Sequence, residues 1–425
     1  MIARGRLCAG VVLACLGWLV APPARAQLVD QYFPAGLVGV GATSGVTVAS
    51  RARPLYDPPG VRLGSFIIRP SLAEGFGYDS AANGLAPARA SGLLQTTAAL
   101  LAASDWSRNN MSAYLRIDNL TYPHVTAQSH TDLTGSLGQT LDFAAGQLAV
   151  SVSHLALNQT ARDLNAPALT HPGQYSIDNA RIGFDTLRGY LVLQPSLQFT
   201  AYRFANVVAG GRPTTQTTRN RDVLEAATTA RFGNELLRDF VVVLRGDSIH
   251  YVAPASGQPS RNATAVSALV GLDHATDAIW RYRALVGYQV RSFASSAYHT
   301  EAAPIAELNV IFSPTGLTTL TATASRQIED AAAENVASYT LLEGRLTIDH
   351  ELLRNLLLSA YGDLQRGDTA QGGGHETSLG FGVGATWLVS RHARMALTLD
   401  HTEKHSTVST NLNETILLLR LTYGL

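Results

Sequence analysis

The amino-acid sequence predicts an all-β protein, a transmembrane antiparallel β-barrel of about 18 strands. Apolar and polar residues alternate with period two from Ser65 to Leu425, which is typical of strands with two different faces. Short and long connections also alternate along this stretch, and no apolar run after the first 26 residues is long enough for a membrane helix. Because every backbone polar group in lipid needs an internal partner, strands can cross a membrane only as a closed sheet.

The N-terminal residues predict export from the cytoplasm. Arg4 and Arg6 precede an apolar run, residues 7–20, and the small-x-small triplet at 24–26 is followed by Gln27. This pattern is typical of a secretory signal peptide, residues 1–26, cleaved after Ala26. The alternative is that Cys15 carries a lipid anchor, since Leu-Ala-Cys at residues 13–15 is weakly similar to a lipobox.

Cleavage after Ala26 would remove both cysteines of the chain, Cys8 and Cys15. A mature chain without thiols excludes disulfides, Cys-ligated zinc and a cysteine nucleophile. The full sequence balances 32 basic against 32 acidic residues, and Lys404 is its only lysine. We therefore expect no nucleic-acid partner, because phosphate binding requires a basic surface.

Residues 27–64 are rich in glycine and proline and are weakly patterned, as in PAGLVGVGATSGVTVAS. We interpret this segment as a periplasmic N-terminal extension. The predicted domains are therefore a signal peptide at 1–26, the extension at 27–64 and the outer-membrane barrel at 65–425.

The connections give the strand count. Eight short turns are predicted near 105–110, 143–146, 185–189, 233–239, 274–278, 313–316, 350–354 and 389–392. Nine longer polar loops are predicted near 79–91, 122–131, 159–175, 205–220, 252–262, 294–299, 327–337, 366–377 and 402–413. Strict alternation joins 18 strands, with short periplasmic turns and long extracellular loops; 16 strands is the alternative if the hairpin at 131–158 is misread. The two longest loops, 159–175 and 205–220, are the candidates to fold inward.

The segment RPLYDPPGVRLGSFIIRPSL, at 53–72, is followed by GFGYDS and by the turn DWSRN. These motifs resemble the putative beta-barrel porin family, type 2, whose members are outer-membrane β-barrels of Gram-negative bacteria. The motifs cover about residues 53–110, and the rest of the chain resembles the family only in the spacing of its strands. It implies an outer-membrane location, and an association of some relatives with exopolysaccharide production. The chain departs from the pattern at Asp79-Ser80, where relatives carry an acidic-Asn pair, and in ending with leucine.

Charged residues on the polar parity are candidates to line a pore. These candidates are Arg69, Arg116, Arg245, Arg281, Arg283, Arg291, Glu307, Glu343, Arg345, Asp363 and Arg420. Three pairs of opposite sign lie two residues apart and are expected to pair within a strand: Arg116/Asp118, Arg245/Asp247 and Glu343/Arg345. Arg281, Arg283 and Arg291 lack such a neighbour, so an anion-favouring strip is a hypothesis there. Inward Tyr114, Tyr202 and Tyr361 either stack sugars or pack the wall.

The sequence gives little support to catalysis, and we expect no enzyme, no cofactor and no metal. Its histidines occur without a G-x-S-x-G elbow, and GHETS at 374–378 is not H-E-x-x-H. The leading prediction is a porin-like channel that lets small hydrophilic solutes diffuse through a charged lumen. The alternatives are a component of exopolysaccharide export or cell-surface assembly, with polysaccharide as partner, and a barrel hydrolase. Expected partners are outer-membrane lipid, lipopolysaccharide and the barrel-assembly machinery.

Overall fold

A computed structural model describes residues 32–34, 37–38, 46–166, 169–186, 190–209, 212–233, 239–274, 279–332, 336–370 and 373–425. The predicted signal peptide, residues 1–26, lies outside the described residues. Where the chain is described, no helix has both the length and the apolar character needed to cross a membrane. The strands are β1 (Val61–Leu63), β2 (Phe66–Asp79), β3 (Ser91–Ser104), β4 (Asn110–Thr121), β5 (His130–Phe143), β6 (Gly146–Gln159), β7 (Gly173–Thr186), β8 (Leu191–Phe204), β9 (Val207–Ala209), β10 (Arg212–Thr214), β11 (Arg221–Phe232), β12 (Asp239–Tyr251), β13 (Ala263–His274), β14 (Trp280–Phe293), β15 (Glu301–Thr315), β16 (Thr318–Asp330), β17 (Ser338–Leu353), β18 (Leu356–Thr369), β19 (His375–Leu388), β20 (Ala393–Ser406) and β21 (Leu412–Gly424).

The wall of the molecule is one closed antiparallel sheet. In the described part of the chain, the strands β2–β8 and β11–β21 each pair with the next, and β21 pairs back to β2. These are 18 strands, as predicted. The 16-strand alternative is wrong, because the doubtful hairpin forms two full strands, His130–Phe143 and Gly146–Gln159. Closure leaves no free strand edge in the wall, which is what a lipid environment requires.

At the seam of the barrel, one edge of β2 has two partners, β1 and the last strand, β21. Residues 66–68 of β2 pair with β1, and residues 71–79 pair with β21. Pro70 lies where one partner ends and the other begins, so its missing N–H falls at a break in the ladder. The Leu425 N–H donates to the Pro70 carbonyl at 3.2 Å, which fastens the last residue of the chain to this break.

The two faces of the wall differ as the alternation predicts. Phe76, Leu417 and Phe381 lie on the outer face and are 54%, 45% and 61% exposed. Trp280, Tyr288 and Trp387 lie on the same face and are also exposed. Arg69 lies on the inner face, opposite the buried Leu101, so the arginine in an apolar strand points away from lipid.

Where the chain is described, the turns and loops lie near their predicted positions, but several strands run farther than predicted. The loops predicted at 327–337, 366–377 and 402–413 are shorter, because β16 continues to Asp330, β18 to Thr369 and β20 to Ser406. The turns predicted at 313–316 and 350–354 are shorter as well, because β15 continues to Thr315 and β17 to Leu353. The prediction was wrong there because polar residues also occur at the ends of these strands. Arg366 and Asp368, in the segment predicted as loop, are paired in the β17–β18 ladder. Their side chains lie on the outer face and form an exposed ion pair at 2.9 Å.

Candidate functional site

The candidate functional site is the inner face of the barrel, and part of this face is apolar. Leu155, Leu157, Tyr175 and Ile177 occupy inner-face positions of β6 and β7 and are all buried. They form one cluster with inner-face residues of β3, β4 and β8, namely Leu101, Tyr114, Tyr202 and Phe204. An apolar patch on a water-filled lumen would be unfavourable, so it needs a cover.

The N-terminal segment covers this patch. Phe33 and Leu37 belong to the same cluster and are 7% and 4% exposed. The ring of Phe33 meets that of Tyr114 edge-on at 6.3 Å, and the Val38 N–H donates to Ser112 Oγ at 3.1 Å. Residues 32–34 and 37–38 therefore lie inside the barrel, against its wall.

The same segment continues along the short-turn end. The Val48 N–H donates to Thr319 Oγ1 at 3.0 Å, and Arg53 pairs with Glu351 at 2.9 Å. Asp57 pairs with Arg394 of β20 at 2.9 Å, shortly before the hairpin of β1 and β2. The barrel wall begins at Phe66, close to the boundary predicted at residue 65. The extension at 27–64 remains a prediction as a domain, but its described part is in contact with the barrel.

The loop at 160–172, described at 160–166 and 169–172, also folds inward, and charged residues hold its start. Arg162 pairs with Asp79 at 2.6 Å and with Glu414 at 2.5 Å, and both carboxylates are buried. Lys404 is fully buried, and its Nζ donates to the carbonyl oxygens of Ala161 at 2.6 Å and Asp163 at 3.3 Å. These contacts tie the loop to β2, β20 and β21.

The next residues of the loop, Leu164 and Asn165, reach strands farther along the wall. Asn165 contacts the Glu376 carboxylate through its N–H and donates its side-chain amide to the Asp330 carbonyl at 3.4 Å. Leu164 packs with Ala331, Tyr339 and Leu341 of the β16–β17 hairpin. The loop after β8 contributes as well, because Arg219 Nη1 donates to Gln159 Oε1 at 2.9 Å. Both loops that the sequence favoured for inward folding thus contact inner-face residues.

The candidate pore-lining residues lie on the inner face, and several have acidic partners. Arg116 pairs with Asp118 as expected, with Nη2 to Oδ1 at 2.9 Å. Among the described residues, Arg245 pairs with Glu307 at 2.6 Å rather than with Asp247. The expected pairing was wrong there, because the guanidinium group of Arg245 is directed across the sheet to β15 instead of along its own strand.

Two other candidate arginines, Arg345 and Arg420, also contact residues of other strands. Arg345 lies 3.6 Å from Asp363 and 3.9 Å above the ring of Tyr361, whereas Glu343 accepts from Ser325 at 3.5 Å. Arg420 donates to Gln95 Oε1 at 2.7 Å.

The three arginines of β14 do not form a strip of free positive charge. Arg283 lies 3.4 Å from Asp273 and 3.9 Å from Glu307, and Arg291 pairs with Asp330 at 2.5 Å. Arg281 lies on the inner face opposite the buried Ile311. Anion selectivity at this strip therefore remains a prediction, and two of its three members already have acidic partners.

The rings of the inward tyrosines contact other side chains of the protein. Tyr114 meets Phe33, Tyr202 lies 4.2 Å below the guanidinium of Arg221, and Tyr361 lies below Arg345. Tyr361 also donates its hydroxyl to Asp400 at 2.7 Å. In this arrangement they pack the wall and its charges.

Sequence reasoning missed the residues that bring segments into the lumen. Phe33, Leu37, Arg162, Lys404 and Glu414 were not among the candidates, because their partners are distant in sequence. Two features of the sequence could have indicated contacts inside the barrel. Leu155 and Leu157 place apolar side chains on the polar parity, and Lys404 is the only lysine of the chain. Within the described residues, no group of three or more His, Cys, Asp or Glu side chains is arranged to hold a metal ion.

A family model and several solved structures match the chain. The model of the family described as "Putative beta-barrel porin 2" matches residues 53–423. Among solved structures, the outer membrane protein OpdK of Pseudomonas aeruginosa is 12% identical, with 84% of this chain and 99% of that chain covered and a TM-score of 0.46. The OccK2 (OpdF) protein of the same organism, solved with glucuronate, is 10% identical, with 85% and 97% covered and a TM-score of 0.45. No curated protein sequence matches the chain.

Removing the apolar contacts of the N-terminal segment should loosen it from the wall. We expect Phe33→Ala and Leu37→Ala each to lower the free energy of unfolding by about 2–4 kcal/mol, because a buried side chain is truncated. Each variant should also raise single-channel conductance, because the segment occupies lumen space. Leu55→Ala is the control, since Leu55 is 68% exposed. Unchanged conductance in both variants would show that the contacts of Phe33 and Leu37 do not restrict the lumen.

The inward position of loop 160–172 should weaken as pH rises. Burial raises the pKa of Asp163 to about 7, against hydrogen bonds from Thr160 and the charges of Lys404 and Arg162. A carboxyl whose pKa is raised by folding stabilises the folded loop fully below its unfolded pKa, and this stabilisation is lost as pH rises to about 7. We expect conductance to rise from pH 5 to pH 8 in the native chain and to change much less in Asp163→Asn. An equal pH response in the two proteins would refute the role of Asp163.

Proposed function

The chain belongs to the "Putative beta-barrel porin 2" family, and we propose that it forms an outer-membrane channel for the diffusion of small hydrophilic solutes. The observation that carries the proposal is a closed wall with an apolar outer face and a charged inner face. Such a wall is stable in lipid and offers water a polar lining.

A ladder of charges of alternating sign supplies that lining on β11 to β15. Arg231 lies 2.7 Å from Asp273, which also contacts Arg283 at 3.4 Å. Arg283 approaches Glu307 at 3.9 Å, and Glu307 pairs with Arg245 at 2.6 Å. Arg283 and Glu307 keep 30% and 32% of their side-chain surface exposed, so the ladder is accessible to water in the lumen. A passing ion or dipole therefore meets both signs of charge within a short distance.

Passage in this proposal is physical and involves no covalent step. The N-terminal segment and the loop at 160–172 reduce the free cross-section, which limits solute size. The ladder then favours solutes that form hydrogen bonds or ionic contacts as they lose part of their hydration.

We further propose that the chain is exported by the N-terminal signal and resides in the outer membrane with lipopolysaccharide around its loop end. Exposed ion pairs on the outer face support this placement. Arg203 pairs with Asp222 at 2.6 Å, and Arg366 with Asp368 at 2.9 Å, both near the loop ends of their strands. Charged groups near the loop ends of the strands fit the lipid headgroup region better than the acyl-chain region.

Single-channel recording tests the proposed function directly. The chain without residues 1–26, refolded into planar bilayers in potassium chloride, should give discrete conductance steps, and liposomes that contain it should swell in small sugars. Refolding is checked by circular dichroism and by heat-modifiable mobility on gels. A correctly refolded barrel that neither conducts nor admits sugars would contradict diffusion as its function.

A further inference from the structure

A groove of about 460 Å³ lies on the outer face of the wall, across β5 to β8. Its floor is apolar, because outward side chains of these neighbouring strands lie in register there. They are Leu137, Val152, Ala180 and Phe199. The groove is therefore a depression in the surface that faces lipid, and it lies outside the lumen.

Two small residues make room for this groove. Gly135 has no side chain on the outer face, and a Cβ at this position would lie 3.8 Å from its nearest neighbours. Ala180 places only a methyl group between Val152 and Phe199, which are 50% and 43% exposed. A glycine inside a strand often marks a place where another molecule approaches the backbone closely.

The loop side of the groove carries two ionisable side chains. His154 and Asp178 face each other on β6 and β7, and both border the groove. Each is the next outward residue on the loop side of the apolar floor. The Nδ1–H of His154 donates to Asp178 Oδ1 at 2.7 Å, and the two side chains are 52% and 56% exposed. Both are therefore accessible to a molecule that enters the groove.

Each member of this pair keeps an atom that can form a further hydrogen bond. Among the described residues, neither His154 Nε2 nor the second carboxylate oxygen of Asp178 has a partner in the protein. An ionised carboxylate can only accept, so a molecule that binds Asp178 must bring an N–H or O–H donor. The Nε2 atom either accepts from a hydroxyl or, when the ring is protonated, donates to an anionic oxygen.

The outer face has the polarity of a lipid whose headgroup lies at the loop end of the barrel. From the floor toward the short turns it continues with Val150, Ile182 and Leu197, which are in register and exposed. From the pair toward the loop it continues on β7 with the polar residues Ser176 and Gln174. An acyl chain can therefore lie along the floor while its headgroup reaches the pair.

We propose that this groove binds an acylated sugar lipid of the lipopolysaccharide type. One acyl chain lies on the apolar floor, and a hydroxyl or phosphate of the sugar contacts His154 and Asp178. The inference rests on the proposed location in the outer membrane, because lipopolysaccharide then surrounds the loop end. A sugar headgroup brings the donors that Asp178 requires, whereas phosphatidylcholine has neither an N–H nor an O–H group.

Native mass spectrometry of the refolded, detergent-solubilised chain counts the lipid molecules that it retains. Lipid A is the probe, and two phospholipids are compared with it: phosphatidylcholine, which has no donor, and phosphatidylethanolamine, which has an ammonium group but no sugar. We expect one retained lipid A and weaker retention of both phospholipids.

Two variants test the two ends of the groove separately. Ala180→Trp fills the floor, and His154→Phe removes the hydrogen bonds of the imidazole but keeps a ring. We expect each to weaken the affinity for lipid A by about tenfold or more, as for the loss of a hydrogen bond or of apolar contact. Val383→Trp is the matched control, because Val383 is 56% exposed on the outer face of β19, away from the groove.

The possible results separate the groove from the channel. Equal retention of lipid A and either phospholipid, or an unchanged affinity in a folded Ala180→Trp, would overturn the inference. A dimer that Ala180→Trp dissociates would also overturn it, because a second copy of the chain would then cover the groove. If His154→Phe fails to refold, Ala180→Trp decides, since its new side chain faces detergent.

Conductance is recorded in phosphatidylcholine bilayers and does not depend on the groove. Conductance without retention of lipid A would leave the channel standing and remove the groove as a binding site. Retention without conductance would do the reverse.

Discussion

The structure depends on one constraint, that each backbone N–H and C=O within the membrane must find its partner in the chain itself. A sheet satisfies this constraint only if its first and last strands meet, and β2 and β21 do so over residues 71–79. The remaining length of β2 is paired by β1, which is why a short hairpin precedes the first wall strand. Pro70 occupies the junction between these partners, where a missing N–H costs least.

Closure by this seam creates an interior that the chain then partly fills. The inner face carries an apolar patch on β3 to β8, and Phe33 and Leu37 cover it. On the neighbouring strands β2, β20 and β21, Asp79, Lys404 and Glu414 hold the loop after β6 through ionic contacts and hydrogen bonds to its carbonyl groups. Two segments therefore occupy part of the lumen. Burial of apolar side chains holds the N-terminal segment, and buried charged groups hold the loop at 160–172. The ladder from Arg231 to Arg245 remains partly exposed on the inner face of β11 to β15, and we propose that it is available to solutes.

The sequence could predict the wall because period-two alternation is a local property. The alternation predicted Arg69 on the inner face and Phe76 on the outer face. Together with the turn residues, it predicted the 18 strands. It could not predict which charges pair, since Arg245 meets Glu307 from a strand some 60 residues away. It also could not place Phe33, because a segment without strand periodicity gives no sign of the surface on which it packs. The sequence feature that points to this surface is the pair Leu155 and Leu157, whose apolar side chains lie on the parity that is otherwise polar.

Cross-linking across the seam tests most directly whether the chain closes on itself. The chain without residues 1–26 has no cysteine, so a pair can be introduced at Phe76 and Leu419, which face each other on β2 and β21. Oxidation should join Phe76→Cys and Leu419→Cys within one chain, because opposed residues on paired strands fall within disulfide reach. Phe76→Cys with Leu397→Cys should stay unlinked, because Leu397 lies one strand farther along the sheet. Linkage of the second pair, or of neither, would contradict a barrel closed by its ends.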